Sequence, residues 1–343
     1  MSQTKMWRLA LKGVVAPMDK PTWNKLDFLS KFLISTRASV LIMTVLSVLI
    51  AILFTIGHHQ FDLFKSFILI ASITLAHACN NILNDWSDWR RKVDEEGYFR
   101  SRYAVEPLTH GLITGKQALL QAAVTGGVAC LGGVYLISQV PNIWFGIGLF
   151  VAGLFFLLFY TWPLKYLGLG EVAVIIVWGP LMIGGGYYML TGNWSNEVLL
   201  AGLPYALGVT GVIFGKHIDK YEEDKKKKIH TLPVILGEKI SRYVMIAVVL
   251  LQYLITTYLV FTGFFHPIML IVWITFLGVP KLRAKIPVLN LIKTFSRPRP
   301  TEAPQGWKAW PLYFVSIAFV QNQRFGIIFL LGLIIQTAIH LIG

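Results

Sequence analysis

The chain has 343 residues, of which 55% are hydrophobic and 14% charged, with a formal charge of +14 and a mean hydropathy of +0.62. That apolar share exceeds what soluble domains carry, and several runs reach the roughly 20 residues needed to cross a bilayer. The runs are continuous rather than alternating, which excludes a β-barrel; cations lying between them point to topology and anionic lipid headgroups, not to nucleic acid.

The expected fold class is all-α, a polytopic membrane protein. Residues 1–33 carry Lys5, Arg8, Lys12, Lys20, Lys25 and Lys31 with Trp7 and Trp23 among them, a pattern predicting a cytoplasmic segment along the membrane surface. No cleavable signal peptide is expected, because this mixed, charged stretch precedes the first span. Residues 34–343 read as a single transmembrane domain. Spans are predicted at about 34–56, 63–83, 117–138, 143–162, 170–190, 198–215, 242–262, 264–280 and 325–342, nine in all. Cys79 and Cys130 lie in apolar stretches and are assigned to packing, without a disulfide.

Loop charge tests this count. With the N-terminus inside, the inner segments are 1–33, 84–116, 163–169, 216–241 and 281–324. Of the 31 lysines and arginines, only Lys65 then falls near the outer face, while Arg37 and Arg242 sit at inner helix ends. A wrong count would scatter cations over both sides. The same bookkeeping shows a repeat: one acidic inner loop follows the second span and another follows the sixth, so spans one to four and five to eight look like parallel copies. The ninth span is extra. Residues 281–310, with Pro287, Pro298, Pro300 and Pro304, form a basic loop that cannot be helical throughout.

The two acidic loops carry the chemistry. In the first, Asn84, Asp85 and Asp88 stand three and four residues apart and share one helical face, while Asp94 must reach in from beyond a bend. In the second, Glu222 and Glu223 follow Asp219 by three and four residues, with Asp224 just beyond. Carboxylates side by side repel and need a counter-ion. Mg²⁺ suits them, taking a few carboxylate oxygens while leaving positions for phosphate oxygens and water. A single acidic loop is usually just solvated. Two at equivalent positions of a repeat, on one side, argue for a shared site.

Here the chain resembles the UbiA superfamily of intramembrane prenyltransferases. The family's first motif is Asn-Asp, then Asp after two residues, then a further Asp. Asn84, Asp85, Asp88 and Asp94 match it in the longer spacing of the menaquinone-pathway (MenA-like) branch, the 1,4-dihydroxy-2-naphthoate prenyltransferases. The ubiquinone branch has the last Asp two residues closer. Residues 215–224 with His230-Thr231-Leu232-Pro233 are similar to the family's second loop and its Thr-Leu-Pro tail. Aligned on that tail, Asp224 falls on a family aspartate, but Lys220 occupies the position of its usual partner; Asp219 and Glu223 fit the ubiquinone register instead. Tyr160-Thr161-Trp162-Pro163-Leu164 resembles the family's Tyr-Thr-x-Pro-Pro turn, and Thr36-Arg37-Ala38 its first-helix Thr-Arg-Pro.

The resemblance implies a helical bundle around a central, lipid-open cavity capped by the inner loops, in a prokaryotic cytoplasmic membrane. It implies Mg²⁺-dependent transfer of a polyprenyl group from a prenyl diphosphate to an aromatic acceptor, of naphthoquinone-precursor type on the first-loop spacing. Metal ligands would come from Asn84, Asp85, Asp88, Asp94, Asp219, Glu222, Glu223 and Asp224, with Asp88, Asp219, Arg37 and Tyr160 catalytic. Arg37, Arg100, Arg102, Lys216 and Lys228 are candidates for the remaining diphosphate charge. Tyr160, Trp178 and Tyr187 would offer aromatic faces to a carbocation. His77 and Asn81 are candidates to orient the acceptor, each weighed against a hydrogen-bonded structural role; Lys225–Lys228 read first as headgroup-facing.

Three rival classes stand beside this one. A secondary transporter also has repeats, but usually carries polar groups at mid-depth. The CDP-alcohol phosphatidyltransferases need an Asp-Gly-x-x-Ala-Arg signature, and no Asp-Gly pair occurs in the chain. A catalytically silent, lipid-binding relative is favoured only by the irregular second loop.

Overall fold

The computed structural model describes residues 2–58, 60–93, 104–277, 288–305, 307 and 310–342, without the side chains of 288–290. Among the described residues every regular element is a helix. Seven helices are long and apolar enough to cross a membrane: α1 (Ala38–Gly57), α2 (Leu63–Arg90), α3 (Gly115–Ser138), α5 (Gly170–Thr191), α6 (Asn196–Asp219), α7 (Glu238–Phe261) and α9 (Phe314–Ile342). The other two predicted spans are the shorter apolar helices α4 (Ile143–Phe159) and α8 (Pro267–Phe276). At 17 residues, α4 is about 26 Å long against a hydrocarbon core of about 30 Å. α8 opens as a 3₁₀ turn at Pro267, so it too falls short of the expected count of nine full spans.

Polar side chains at the helix starts explain where they begin. Asp62, Asn142 and Ser195 each accept the backbone N–H three residues on, from Lys65, Phe145 and Val198. Thr114 and Gln117 form a reciprocal capping box at α3. Each cap satisfies a helix-end donor that would otherwise stay unpaired. α6 lies at the centre of the bundle: 78% of its apolar window is buried, against 28% for α3.

α5 is not uniform. It runs as an α-helix over Gly170–Ile176, widens to a π-helix over Val177–Gly185, and returns to α over Gly186–Thr191. Pro180 lies inside the π segment. Having no N–H, and with a ring that would crowd the carbonyl four residues back, proline favours such a widening. Gly184 and Gly185 close this segment, and Gly186 opens the α-helix that follows.

Two boundaries differ from expectation, and both matter for the site. α2 continues to Arg90, past the expected end at 83, so Asn84, Asp85 and Asp88 stand on its last turns, on the helical face their spacing predicts. α9 begins at Phe314, well before the expected 325, because its polar groups find partners inside the bundle; Gln321 donates to the Tyr253 hydroxyl at 2.5 Å. The N-terminal segment folds into three short helices, Gln3–Lys12, Lys20–Asn24 and Phe28–Ser35. Met6, Ala10, Trp23 and Ile34 pack there against Val105 and Leu112, and the Trp7 indole donates to Asp27 at 3.0 Å. The Ser30 hydrogen bond, then Trp7, hold the Asp27 carboxyl below its ordinary range despite some desolvation.

Candidate active site

The ends of α2 and α6 meet at one end of the bundle. Val93, just past α2, packs with Ile229, Tyr166 and Leu312, and the Lys227 ammonium donates to the carbonyls of Lys92 and Val93 at 3.2 and 2.5 Å. The two acidic stretches, far apart in sequence, are therefore joined by backbone and side chain.

Beside this junction lies a cavity of about 930 Å³. Its body is apolar, walled by residues such as Leu69, Leu149, Phe150, Leu154, Met182 and Phe319. Arg37, Asn81, Asn84, Tyr160 and Lys216 bring polar atoms to it, and His77 and Trp178 stand in its wall. His77 Nδ1 is 2.6 Å from the Thr44 hydroxyl, and its ring meets Trp178 edge-on at 5.3 Å. Among the described residues the buried Trp178 indole N–H has no hydrogen-bond partner. Asn81 and Asn80 donate to the carbonyls of Thr36 and Leu157 at 2.9 and 2.8 Å, so they tie neighbouring helices together while also lining the cavity.

The charged groups come as pairs. Arg37 precedes α1 with φ 53° and ψ 51°, a left-handed conformation uncommon outside glycine; its guanidinium meets the Asp85 carboxylate. Lys165 donates to both oxygens of Asp88 at 2.9 and 2.8 Å, and both residues are buried, at 8% and 6% exposed. The turn after α4 makes this possible, because Lys165 N bonds the Tyr160 carbonyl at 2.9 Å and a 3₁₀ turn over Leu164–Leu167 follows.

The second acidic stretch is used differently. Asp219 accepts the backbone N–H groups of Tyr313, Phe314 and Val315 at 2.9, 3.0 and 3.0 Å and faces Arg299 at 3.3 Å, its side chain fully buried. It thus serves the unpaired donors at the start of α9, where a negative charge is favoured. A Cβ on Gly215 would come within 2.9–3.0 Å of the Phe314–Val315 backbone, so only glycine permits this approach one turn before Asp219. Asp224 is buried beside Lys220, at 3.5 Å. Glu222 and Lys228 are exposed and Glu223 is half-buried.

The structure therefore brings Arg37, Asn81, Asn84, Tyr160, Lys216 and His77 to one cavity, with Asp85 and Asp88 on its cationic rim. It does not bring Asp219 to that face, nor Lys228. Tyr187 is not a wall residue either; it is buried with its ring against His58. Asp94, Arg100 and Arg102 lie outside the described residues. By donor chemistry, the oxygen set Asn84, Asp85 and Asp88 suits a hard divalent cation. In the second stretch Asp219 is committed to α9, while Lys220 stands against Asp224 as Lys165 does against Asp88 and Arg37 against Asp85. Among the described residues no three His, Cys, Asp or Glu side chains converge as a metal-holding group.

Two features escaped the sequence reading. Lys165 carried a faint signal, a cation immediately after the Tyr160–Leu164 turn. The buried pair of His217 and Glu171, 2.6 Å apart, was signalled only by an acid at the start of an apolar span, which membrane burial makes costly unless it is paired.

Comparison with known proteins agrees with this architecture. The model of the UbiA prenyltransferase family matches residues 41–286. The 1,4-dihydroxy-2-naphthoate octaprenyltransferase of Bacillus subtilis is 25% identical over 249 residues, covering 72% of this chain and 78% of that protein. The UbiA prenyltransferase domain-containing protein 1 of Gallus gallus is 25% identical over 194 residues, 54% of this chain; the match spans 55% of its length. A solved UbiA homologue from Archaeoglobus fulgidus bound to GPP and Mg²⁺ superposes with a TM-score of 0.56 at 15% identity, covering 88% of this chain and 99% of that one. A digeranylgeranylglyceryl phosphate synthase does so with a TM-score of 0.52 at 18% identity, covering 98% and 99%. With the family model spanning most of the chain, the same helical fold in solved relatives and seven membrane-length helices, this protein belongs to the UbiA prenyltransferase family, as an integral membrane enzyme of that family.

Proposed function

We propose that this enzyme transfers a prenyl group from a prenyl diphosphate to an aromatic acceptor inside the membrane, with Mg²⁺ at the end of α2. The observation that carries the reading is one cavity, about 930 Å³ in volume, whose apolar body ends at Arg37, Asn84 and Lys216. An isoprenoid tail needs the first part and a diphosphate the second. A naphthoate acceptor is supported by the long spacing from Asp88 to Asp94 and by the Bacillus subtilis relative, whose name carries that substrate.

Asn84, Asp85 and Asp88, with Asp94, would hold Mg²⁺, which when bound offsets charge on the departing diphosphate. The chain's own groups do the rest. Arg37 and Lys216 bind diphosphate oxygens, Arg37 with the forked geometry that suits them. Lys165 keeps Asp88 in place. The allylic carbon loses its C–O bond to the diphosphate, which departs with the electron pair; the acceptor ring forms the new C–C bond and then gives up a proton. Aliphatic walls exclude water from the allylic cation, and Tyr160 and Trp178 offer it aromatic faces. His77 and Asn81 lie where an acceptor hydroxyl would find a partner. Cations concentrated around the α2 and α6 ends support a cytoplasmic position for this face.

The test is diphosphate release by purified protein given geranyl or longer diphosphates and 1,4-dihydroxy-2-naphthoate. Mg²⁺-dependent release matched by prenylated product is the expected result; a transporter or a silent relative would give none. Chain length gives a second expectation. Gly127 lines the cavity, and a Cβ placed there meets nothing within 4 Å. Gly127→Phe should fill space without straining the fold, lowering turnover of long prenyl diphosphates at least about tenfold while geranyl diphosphate is still used. Equal losses for every chain length would place the tail elsewhere.

A further inference from the structure

Buried hydroxyls on these helices give their hydrogen to a carbonyl one turn back, as Ser47 does to Met43 at 3.2 Å and Thr210 to Ala206 at 2.9 Å. Thr44, fully buried on α1, does not. Among the described residues its hydrogen bond is to His77 Nδ1 on α2, at 2.6 Å. Were the proton on Nδ1, the Thr44 hydrogen would be left in an apolar interior with nothing to receive it. The hydroxyl therefore donates to Nδ1, and the neutral ring carries its hydrogen on Nε2. An imidazolium would need hydrogen on Nδ1 as well, and the same argument excludes it. Nε2 has no partner among the described residues, and His77 stands in the cavity wall. Trp178 meets the ring edge-on at 5.3 Å and limits its rotation.

Asn81 follows four residues later on the same face of α2, where side chains lie about 5–6 Å apart at Cβ. Its Nδ2 donates to the Thr36 carbonyl at 2.9 Å, which settles how the amide is turned. Oδ1 is the end left to accept, on a residue that also lines the cavity. A donor and an acceptor one turn apart complement a hydroxyl, which takes a hydrogen bond on its oxygen and gives one from its hydrogen. An ether or quinone oxygen only accepts, and would set its lone pairs against those of Asn81.

We propose that Thr44 is a positioning residue for the acceptor: it locks His77 as an Nε2–H donor, and His77 with Asn81 selects a ring bearing a free hydroxyl, a phenol or hydroquinone, over its ether or quinone. This rests on the aromatic-acceptor reading above. His77 then holds the acceptor oxygen and does not remove its proton. The selection suits the chemistry, because a hydroxyl feeds electrons into the ring that attacks the allylic carbon, whereas a quinone withdraws them.

The tautomer can be read directly, without turnover. Full-length protein in detergent, carrying ¹⁵N-labelled histidine, would be observed by nuclear magnetic resonance, with the His77 nitrogens identified as the signals that His77→Phe removes. The expected result is one neutral form with its hydrogen on Nε2. Thr44→Val should release a mixture of the two tautomers, and Thr44→Ser should keep the native one. Calorimetry on the same proteins would then compare naphthalene-1,4-diol, 1,4-dimethoxynaphthalene and 1,4-naphthoquinone. Native protein should hold the diol about a hundredfold more tightly than the other two. That ratio should fall to about tenfold in Thr44→Val and about threefold in His77→Phe, and recover in Thr44→Ser. Hydrogen on Nδ1 in the native protein, or equal affinity for the diol and its ether, would overturn the proposal while leaving the prenyl transfer reading intact. Native protein that bound none of the three rings and released no diphosphate from geranyl diphosphate would overturn both.

Discussion

Asp88→Asn is expected to slow prenyl transfer by about 10²–10³-fold, the scale on which a preorganised electrostatic group contributes to a rate. The residue sits at 6% exposure with both oxygens on the Lys165 ammonium. Its neutral analogue keeps the shape but loses the charge that would hold Mg²⁺ and oppose Lys165. A stability effect comes with it, because removing one member of a buried pair leaves the other charge uncompensated, at about 3–5 kcal/mol. The two effects separate in a second variant. Lys165→Met added to Asp88→Asn should recover the melting temperature in detergent, yet leave transfer at the low level. Near-native turnover in Asp88→Asn alone would remove this residue from the reaction.

Asp219→Asn is expected to act on the fold instead. The carboxylate is the acceptor for Tyr313, Phe314 and Val315 and the partner of Arg299, which also donates to the Pro311 carbonyl at 2.7 Å and lies 4.5 Å over the Trp310 ring. An asparagine offers one acceptor oxygen and turns an amide donor toward backbone donors. Loss of the charge beside Arg299 and a helix N-terminus should lower stability by about 3–5 kcal/mol. Limited proteolysis should reach residues 296–313 sooner, and Arg299→Met should add little to the loss. Mn²⁺ affinity of the surviving folded protein should stay within about twofold of native. A variant that unfolds normally but binds Mn²⁺ poorly would return Asp219 to the metal site.

The contrast between these two aspartates shows what could be read from the chain. The helical class followed from hydrophobic runs that no soluble domain sustains; among the described residues each run overlaps a helix, seven of them of membrane length. The first acidic group was legible because Asn84, Asp85 and Asp88 share a helical period, and period is local information. The destination of Asp219 was not. Its backbone partners lie more than ninety residues away, in a stretch whose prolines and cations read as loop, and nothing near residue 219 shows that a helix begins at Phe314. Lys165 was missed for the same reason, since its value depends on Asp88 being 77 positions distant in sequence and 2.8 Å distant in space. Local spacing shows which residues can act together on one helix. Tertiary approach decides which of them are already spoken for.

The widened coil over Val177–Gly185 bears on how this wall can vary. A π turn holds one residue more than the α turn it replaces, so excising a single position there would let the backbone close into a regular helix. Because the cut removes the residue that the wider turn holds in excess, the flanking α segments keep their facing, while side chains inside the segment change theirs. Trp178 and Met182 would then no longer both face the hollow they now line. In this segment a deletion that leaves the backbone regular redraws the shape of the chamber, making indels there a coarser control on what fits inside than any single substitution.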